Sequence, residues 1–171
     1  TLQTGNETTQ VNSISGSAVL IKCSVISKVG YFDNRFFAYY EETDLFARMK
    51  RAGYKIIYSP SLKTWHKIAQ STKSIPKFYL YHMHRNRFIF ATKNYDLKYL
   101  LSFWFNYNKE TARSVVKLFV PGKNADMNDR MQVKAAVWNL LHIAPTLTGR
   151  MKVARLGSSY AKTLTEDAYE D

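Results

Sequence analysis

YYEETDLFARMKRAGYKI, Tyr39 to Ile56, places three carboxylates, Glu41, Glu42 and Asp44, at the head of a run whose apolar residues recur with helical spacing. Leu45, Met49 and Ala52 share one face and Gly53 is a stop signal, so the pattern predicts an amphipathic helix from Glu41 to Ala52. A helix N-terminus favours an anion by ~0.3–1 kcal/mol per charge, because its first N–H groups lack partners and the macrodipole is positive there. Capping of this kind explains one or two acids better than three. Asp44 and Arg48 stand four apart and can pair across one turn, typically for only a few tenths of a kcal/mol. The alternative is chemical: one acid acts as general base on a substrate hydroxyl while its neighbours hold a ligand or a metal.

Upstream, SISGSAVLIK (Ser13 to Lys22) turns from small and polar to apolar, the pattern of a turn feeding a buried strand. Cys23 to Val29 follows as a short helix closed by Gly30, and YFDNRFF (Tyr31 to Phe37) carries aromatic residues round a turn at Asp33 and Asn34. Downstream, Tyr54 to Pro60 and Leu62 to His66 read as strands, with a polar loop to Ser74. From Pro76 the period changes to helical: 77–93, Leu97–Val120 and about Asp126–His142, the last ending near Pro145. A mixed α/β piece over 1–75 thus precedes a helical region over 76–157 and a loose acidic tail over 158–171. Two or three strands make a poor core alone, and they would sit better at the edge of a larger sheet. Thr1 to Asn12 is polar, without an initiator methionine, a leader pattern or strand alternation, so the chain is expected to begin inside a longer protein.

The chain carries a net charge of +12, concentrated in 76–157, where 14 basic residues face 4 acidic ones. Such an excess suits an anionic partner such as phospholipid, nucleic acid or a phosphorylated substrate, or simply a solvated basic face. Cys23 is the single cysteine, which excludes an internal disulfide and a cysteine-based zinc site. The strongest apolar patch, Leu100 to Phe105, is far shorter than the ~20 residues that cross a bilayer.

SGSAVLIK (Ser15 to Lys22), VGYFDNRFFAYYEETDLFARMKRAGYKI (Val29 to Ile56), TWHK (Thr64 to Lys67) and RNR (Arg85 to Arg87) together resemble the C-terminal half of family 2 glycosyltransferases, in the bacterial rhamnosyltransferase-like branch. The ordered set spans about residues 13–90, and LTGRM (Leu147 to Met151) resembles the closing segment of such enzymes. The resemblance implies a partial GT-A fold, an α/β fold with an incomplete mixed sheet and helices, followed by the helical C-terminal region. It also implies a divalent metal, Mg or Mn, held with the donor diphosphate by an Asp-x-Asp motif in the half that this chain lacks. The chain by itself is therefore expected to be inactive.

The family's acidic motif reads Glu-Asp-x-Asp-Leu, and here it reads Glu41-Glu42-Thr43-Asp44-Leu45. Glu42 falls where the catalytic Asp stands, keeping the carboxylate on an arm one methylene longer. The resemblance thus makes Glu42 the general base, with Glu41 and then Asp44 as alternatives. His66 matches a late histidine that the family offers to the metal or diphosphate; an isolated histidine is otherwise structural. Ser15, Gly16 and Ser17 match the loop where donor and acceptor sugars meet, unless they form only a tight lead into a strand. Trp65 is read as core or as an acceptor platform. Arg85 and Arg87 suit diphosphate oxygens, with plain surface solvation as the alternative. His82 and His84, two apart on a helix, point to different sides and make no metal pair.

The partners implied are a nucleotide-sugar donor, dTDP-rhamnose by branch, and a saccharide or lipid-linked acceptor, with no nucleic acid. The implied location is the cytoplasm, with a peripheral seat on the inner face of the membrane. Leu97–Val120 interleaves apolar and basic residues, which suits a helix lying on an anionic leaflet or packing on the missing half. The competing reading is a noncatalytic basic module that binds nucleic acid or anionic membrane through 76–157, and it leaves the acid cluster unexplained.

Overall fold

The computed structural model describes residues 7–65 and 75–157. Among these, two short strands, β1 (Thr9–Val11) and β2 (Ile56–Tyr58), accompany six helices: α1 (Cys23–Val29), α2 (Glu41–Arg51), α3 (Pro76–Asn94), α4 (Leu97–Phe119), α5 (Met127–Leu141) and α6 (Ile143–Ala154). The chain is mostly helical with a small sheet, a mixed α/β composition. β1 and β2 pair antiparallel with Thr9 opposite Tyr58 and Val11 opposite Ile56.

α1, α2 and this ribbon enclose one core, built from Val25, Val29, Leu45, Phe46, Met49 and Ile56. The opposite side of α2 presents Ala47 to Phe36, Ile89 and Phe90, which joins α2 to α3. α3 packs on α5 and α6, and α4 packs on α5. Because α3 is surrounded, it buries polar as well as apolar side chains, Asn86, Thr92, Lys93 and Asn94 among them. Each finds a partner, as burial requires. The Trp104 indole N–H donates to Thr92 Oγ1 at 3.1 Å, and Arg150 closes the end of α3 by donating to the carbonyls of Thr92 and Tyr95 at 3.0 and 2.6 Å.

Four expectations need correction. Ser17 to Lys22 forms no strand, and Leu20 lies open to solvent, because no described strand runs beside it to take its backbone hydrogen bonds. Residues 62–65 are likewise irregular, while His66 lies outside the described residues. Conversely, Thr9–Val11 does pair as a strand, its signal weak because polar Thr9 and Gln10 acquire their structure only from β2. α6 begins one residue after α5's cap and includes Pro145, which a first helical turn tolerates because the N–H there would have no intrahelical acceptor.

A buried charge network ties α2 to α3. Asp44, fully buried, accepts from Arg48 Nε at 2.9 Å, from Lys93 Nζ at 2.7 Å and from Asn94 Nδ2 at 3.1 Å. Lys93 also reaches Asp33 at 2.6 Å and sits over the Phe36 ring. Burial alone would raise the Asp33 carboxyl, but Arg35 and Lys93 hold it well below the usual aspartate range. Arg48 spends its remaining donors on the carbonyls of Val29, Gly30 and Tyr31, fixing the chain that leads out of α1.

Candidate active site at the start of the acidic helix

The segment that enters α2 is held in an uncommon conformation. Phe37, Tyr39 and Tyr40 have φ of 62°, 65° and 70°, the left-handed region that side chains with a Cβ avoid. Such residues cost roughly 1–3 kcal/mol each and persist only where the surroundings over-determine them. The surroundings here are α3. Asn86, fully buried, donates its side-chain amide to the carbonyls of Phe36, Ala38 and Tyr39 at 2.9, 2.7 and 2.7 Å. Arg85 adds bonds from Nη2 to the carbonyls of Arg35 and Phe36, and its Nε donates to Asn86 Oδ1 at 2.9 Å. Tyr39 packs on Tyr79, and Tyr40 on Phe90.

The segment's far side is braced by α6. Arg35 Nη1 donates to the Pro145 carbonyl at 2.5 Å, and its guanidinium lies over Gly149, where a Cβ would stand 2.5 Å from Nη2. A glycine at 149 is what lets the helix approach this close.

With the turn fixed, α2 opens on Glu41 and Glu42. Both are half-buried, and one carboxylate oxygen of each is shielded from solvent with no hydrogen-bond partner among the described residues. Burial pushes the Glu41 carboxyl above its usual range, and the neighbouring Glu42 pushes it further. Gly16 lies directly against Glu42: a Cβ there would meet Glu42 Cβ and Cγ at 3.3 Å. The exposed Ser15 and Ser17 hydroxyls bond to each other at 3.1 Å beside it. The fold therefore sets Gly16 of the small-residue loop against Glu42, and leaves a shielded acceptor on each of the first two acids of α2. Such atoms are uncommon in native interiors, and a hydroxyl donor from a bound molecule would satisfy them.

Other predicted residues are placed differently. Asp44 points the opposite way, into the network with Arg48, Lys93 and Asn94, and holds the fold together. Arg85 is neither solvated nor open to a ligand: it is buried, committed to backbone carbonyls and covered by the Trp138 ring at 4.8 Å. Arg87 is partly exposed, paired with Glu110 and leaning on the rings of Phe103 and Tyr107. Burial raises the Tyr40 hydroxyl, and the Arg87 charge opposes that shift. Trp65 is fully exposed, which rules out a place in the core. His82 and His84 occupy separate environments: His82 packs at a tilt against Phe78, and burial beside Arg85 lowers it to about 4, whereas His84 bonds to Asn128. His66 lies outside the described residues, and among those described no group of three or more His, Cys, Asp or Glu side chains converges to hold a metal.

Asn86 is the residue that sequence reasoning passed over. Its signal is an asparagine inside Phe88-Ile89-Phe90's helix, flanked by two arginines, where a buried amide needs backbone partners. Asn86→Ala is expected to lose about 2–3 kcal/mol, since the carbonyls of Ala38 and Tyr39 would lose the amide that donates to them, while Phe36 keeps its donors from Arg85 and the Ala38 N–H. Urea titration checks this, and a loss within ~0.5 kcal/mol, typical of surface changes, would mean that the turn holds itself.

No protein-family model matches the chain, and no solved structure matches it. Over 86 residues, half of this chain, the sequence is 39% identical to N-acetylglucosaminyl-diphospho-decaprenol L-rhamnosyltransferase of Mycobacterium tuberculosis, in strains CDC 1551 / Oshkosh and ATCC 25618 / H37Rv. The chain is similar to part of a glycosyltransferase. The matched stretch covers 28% of those curated relatives' length, so the chain spans well under two thirds of them. This relationship does not favour the noncatalytic basic module.

Proposed function

We propose that this chain is the acceptor side of an inverting, family 2 glycosyltransferase of GT-A type, with Glu42 as general base. The observation that carries the reading is the shielded oxygen of Glu42, unpartnered among the described residues, on a side chain that lies against Gly16 at the head of a helix whose entrance is held by Asn86. An acceptor hydroxyl seated there would donate to Glu42. As its oxygen attacks the anomeric carbon, the O–H proton passes to the carboxylate and the bond from that carbon to the nucleotide diphosphate breaks, with inversion. Glu41 is the nearest substitute base. Burial, with the adjacent Glu42, raises its carboxyl above the ordinary range, a shift in the direction that strengthens a carboxylate as a base.

The similarity to a rhamnosyltransferase acting on a decaprenol-linked N-acetylglucosamine supports a deoxyhexose donor such as dTDP-rhamnose and a lipid-linked saccharide acceptor. Ser15 and Ser17 would contact sugar, Trp65 would offer an exposed ring to it, and Arg87 would face diphosphate. The described residues do not make a metal site, so a divalent ion would draw its ligands from elsewhere, with the Asp-x-Asp motif and His66 as the proposed set. The test supplies the intact protein with a panel of nucleotide sugars and a polyprenyl-diphospho-N-acetylglucosamine. Acceptor-dependent release of dTDP from dTDP-rhamnose is expected. Release with no nucleotide sugar, acceptor present, would reject the reading.

A further inference from the structure

α4 divides its apolar residues between two faces. Leu100, Phe103, Tyr107 and Ser114 are buried against the neighbouring helices. Leu97, Leu101, Phe105, Val115, Val116 and Phe119 are exposed, Leu97, Phe105 and Phe119 to 65%, 70% and 77%. At ~100° per residue these six fall within about 100° of arc, so they form one stripe along a helix roughly 34 Å long. Asn108 and Ala112 share this face and divide it into two groups, Leu97, Leu101 and Phe105 and then Val115, Val116 and Phe119, and six large apolar side chains exposed on one face of a helix mark an interaction surface rather than scattered surface residues.

The charges beside the stripe select its occupant. Lys98, Lys109 and Arg113 follow one edge on the same helical projection, and none has an ion-pair partner among the described residues. The helix's single acid, Glu110, lies round the other side and is paired with Arg87. A second copy docking stripe to stripe would bring the basic edges together, which is unfavourable. Protein interface cores are also depleted in lysine. Apolar side chains beside unpaired cations match an anionic membrane surface, where the hydrocarbon boundary takes the first and lipid phosphates take the second. We propose that the exposed face of α4 seats the protein on an anionic membrane. No helix among the described residues is long and apolar enough to cross one, so the contact is lateral.

This inference stands apart from sugar transfer and is read without it. The intact protein is mixed with vesicles of phosphatidylcholine, with or without phosphatidylglycerol, and sedimented at low and high salt. Binding is expected with phosphatidylglycerol, weakened by salt and by its omission. Leu101→Gln with Phe105→Gln, both at exposed positions, is expected to lower partitioning at least tenfold, by analogy with the loss of buried apolar area. Lys98→Glu with Lys109→Glu is expected to lower it about fivefold or more per charge. Circular dichroism confirms that each variant keeps its fold. Wild-type protein that ignores anionic vesicles would overturn the proposal, whether the stripe proves to be covered by the rest of the protein or by a second copy seen in light scattering. Binding unchanged in both variants would overturn it equally.

Discussion

Asp44→Ala is expected to destabilise the protein by about 3–5 kcal/mol, the range for removing one partner from a buried ion network. The carboxylate is fully buried and satisfies three donors at once: Arg48, Lys93 and Asn94. Without it Arg48 keeps only backbone carbonyls, and Lys93, itself buried, shares its charge with Asp33 alone. The loss is a large share of the ~5–15 kcal/mol that holds a domain folded. Asp44→Asn keeps the shape and one acceptor, so it should recover part of the loss. Urea titration followed by circular dichroism reads both. A cost for Asp44→Ala below ~1 kcal/mol, the worth of an exposed pair, would show that the network does not bind α2 to α3.

Glu42→Gln should leave the fold intact and remove transfer. The side chain makes no ion pair among the described residues, and an amide has nearly the same shape, so packing against Gly16 is retained. An amide cannot take the acceptor's proton. General base catalysis is typically worth ~10²–10⁴-fold, or about 3–5 kcal/mol of barrier, and kcat is expected to fall by that factor. Donor affinity should stay within about twofold, since uniform binding is untouched when a loss lies only in the transition state. Near-normal turnover would move the base to Glu41. A parallel fall in donor affinity would instead mean that Glu42 contacts the nucleotide sugar.

Much of this architecture was legible locally. The helix from Cys23 to Val29 ends at Gly30, whose φ is 84°, and the acidic helix stops at Gly53, whose φ is 86°, because left-handed backbone at a helix end is cheapest for glycine. Helical spacing after Pro76 likewise located α3, α4 and α5 to within a residue or two. What stayed hidden depended on partners distant in sequence. β1 exists through β2, the SAVLIK segment has no strand beside it among the described residues, and α6 needed its first-turn proline to be read as a beginning rather than an end.

The site divides along the same line. Residue type singled out Glu41 and Glu42, the family resemblance added Gly16, and the structure sets Gly16 against Glu42. Asp44's pairing with Arg48 was also visible as an i,i+4 spacing, but its depth was not, because Lys93 and Asn94 come from another helix. Arg85 looked like a surface cation for want of any sign that Trp138 would cover it. Three left-handed aromatic positions before α2 carry no sequence mark at all, since what holds them, the Asn86 amide, the Arg85 guanidinium and the rings of α3, comes from a helix distant in sequence.

The most direct test of sugar transfer from a Glu42 base is the mass of a polyprenyl-diphospho-N-acetylglucosamine after incubation with dTDP-rhamnose and the intact protein, wild type and Glu42→Gln side by side at matched donor occupancy. The lipid-linked saccharide should gain one deoxyhexose with the wild type and remain unchanged with the variant over the same interval. Equal product from both proteins, or none from either, would contradict the assignment.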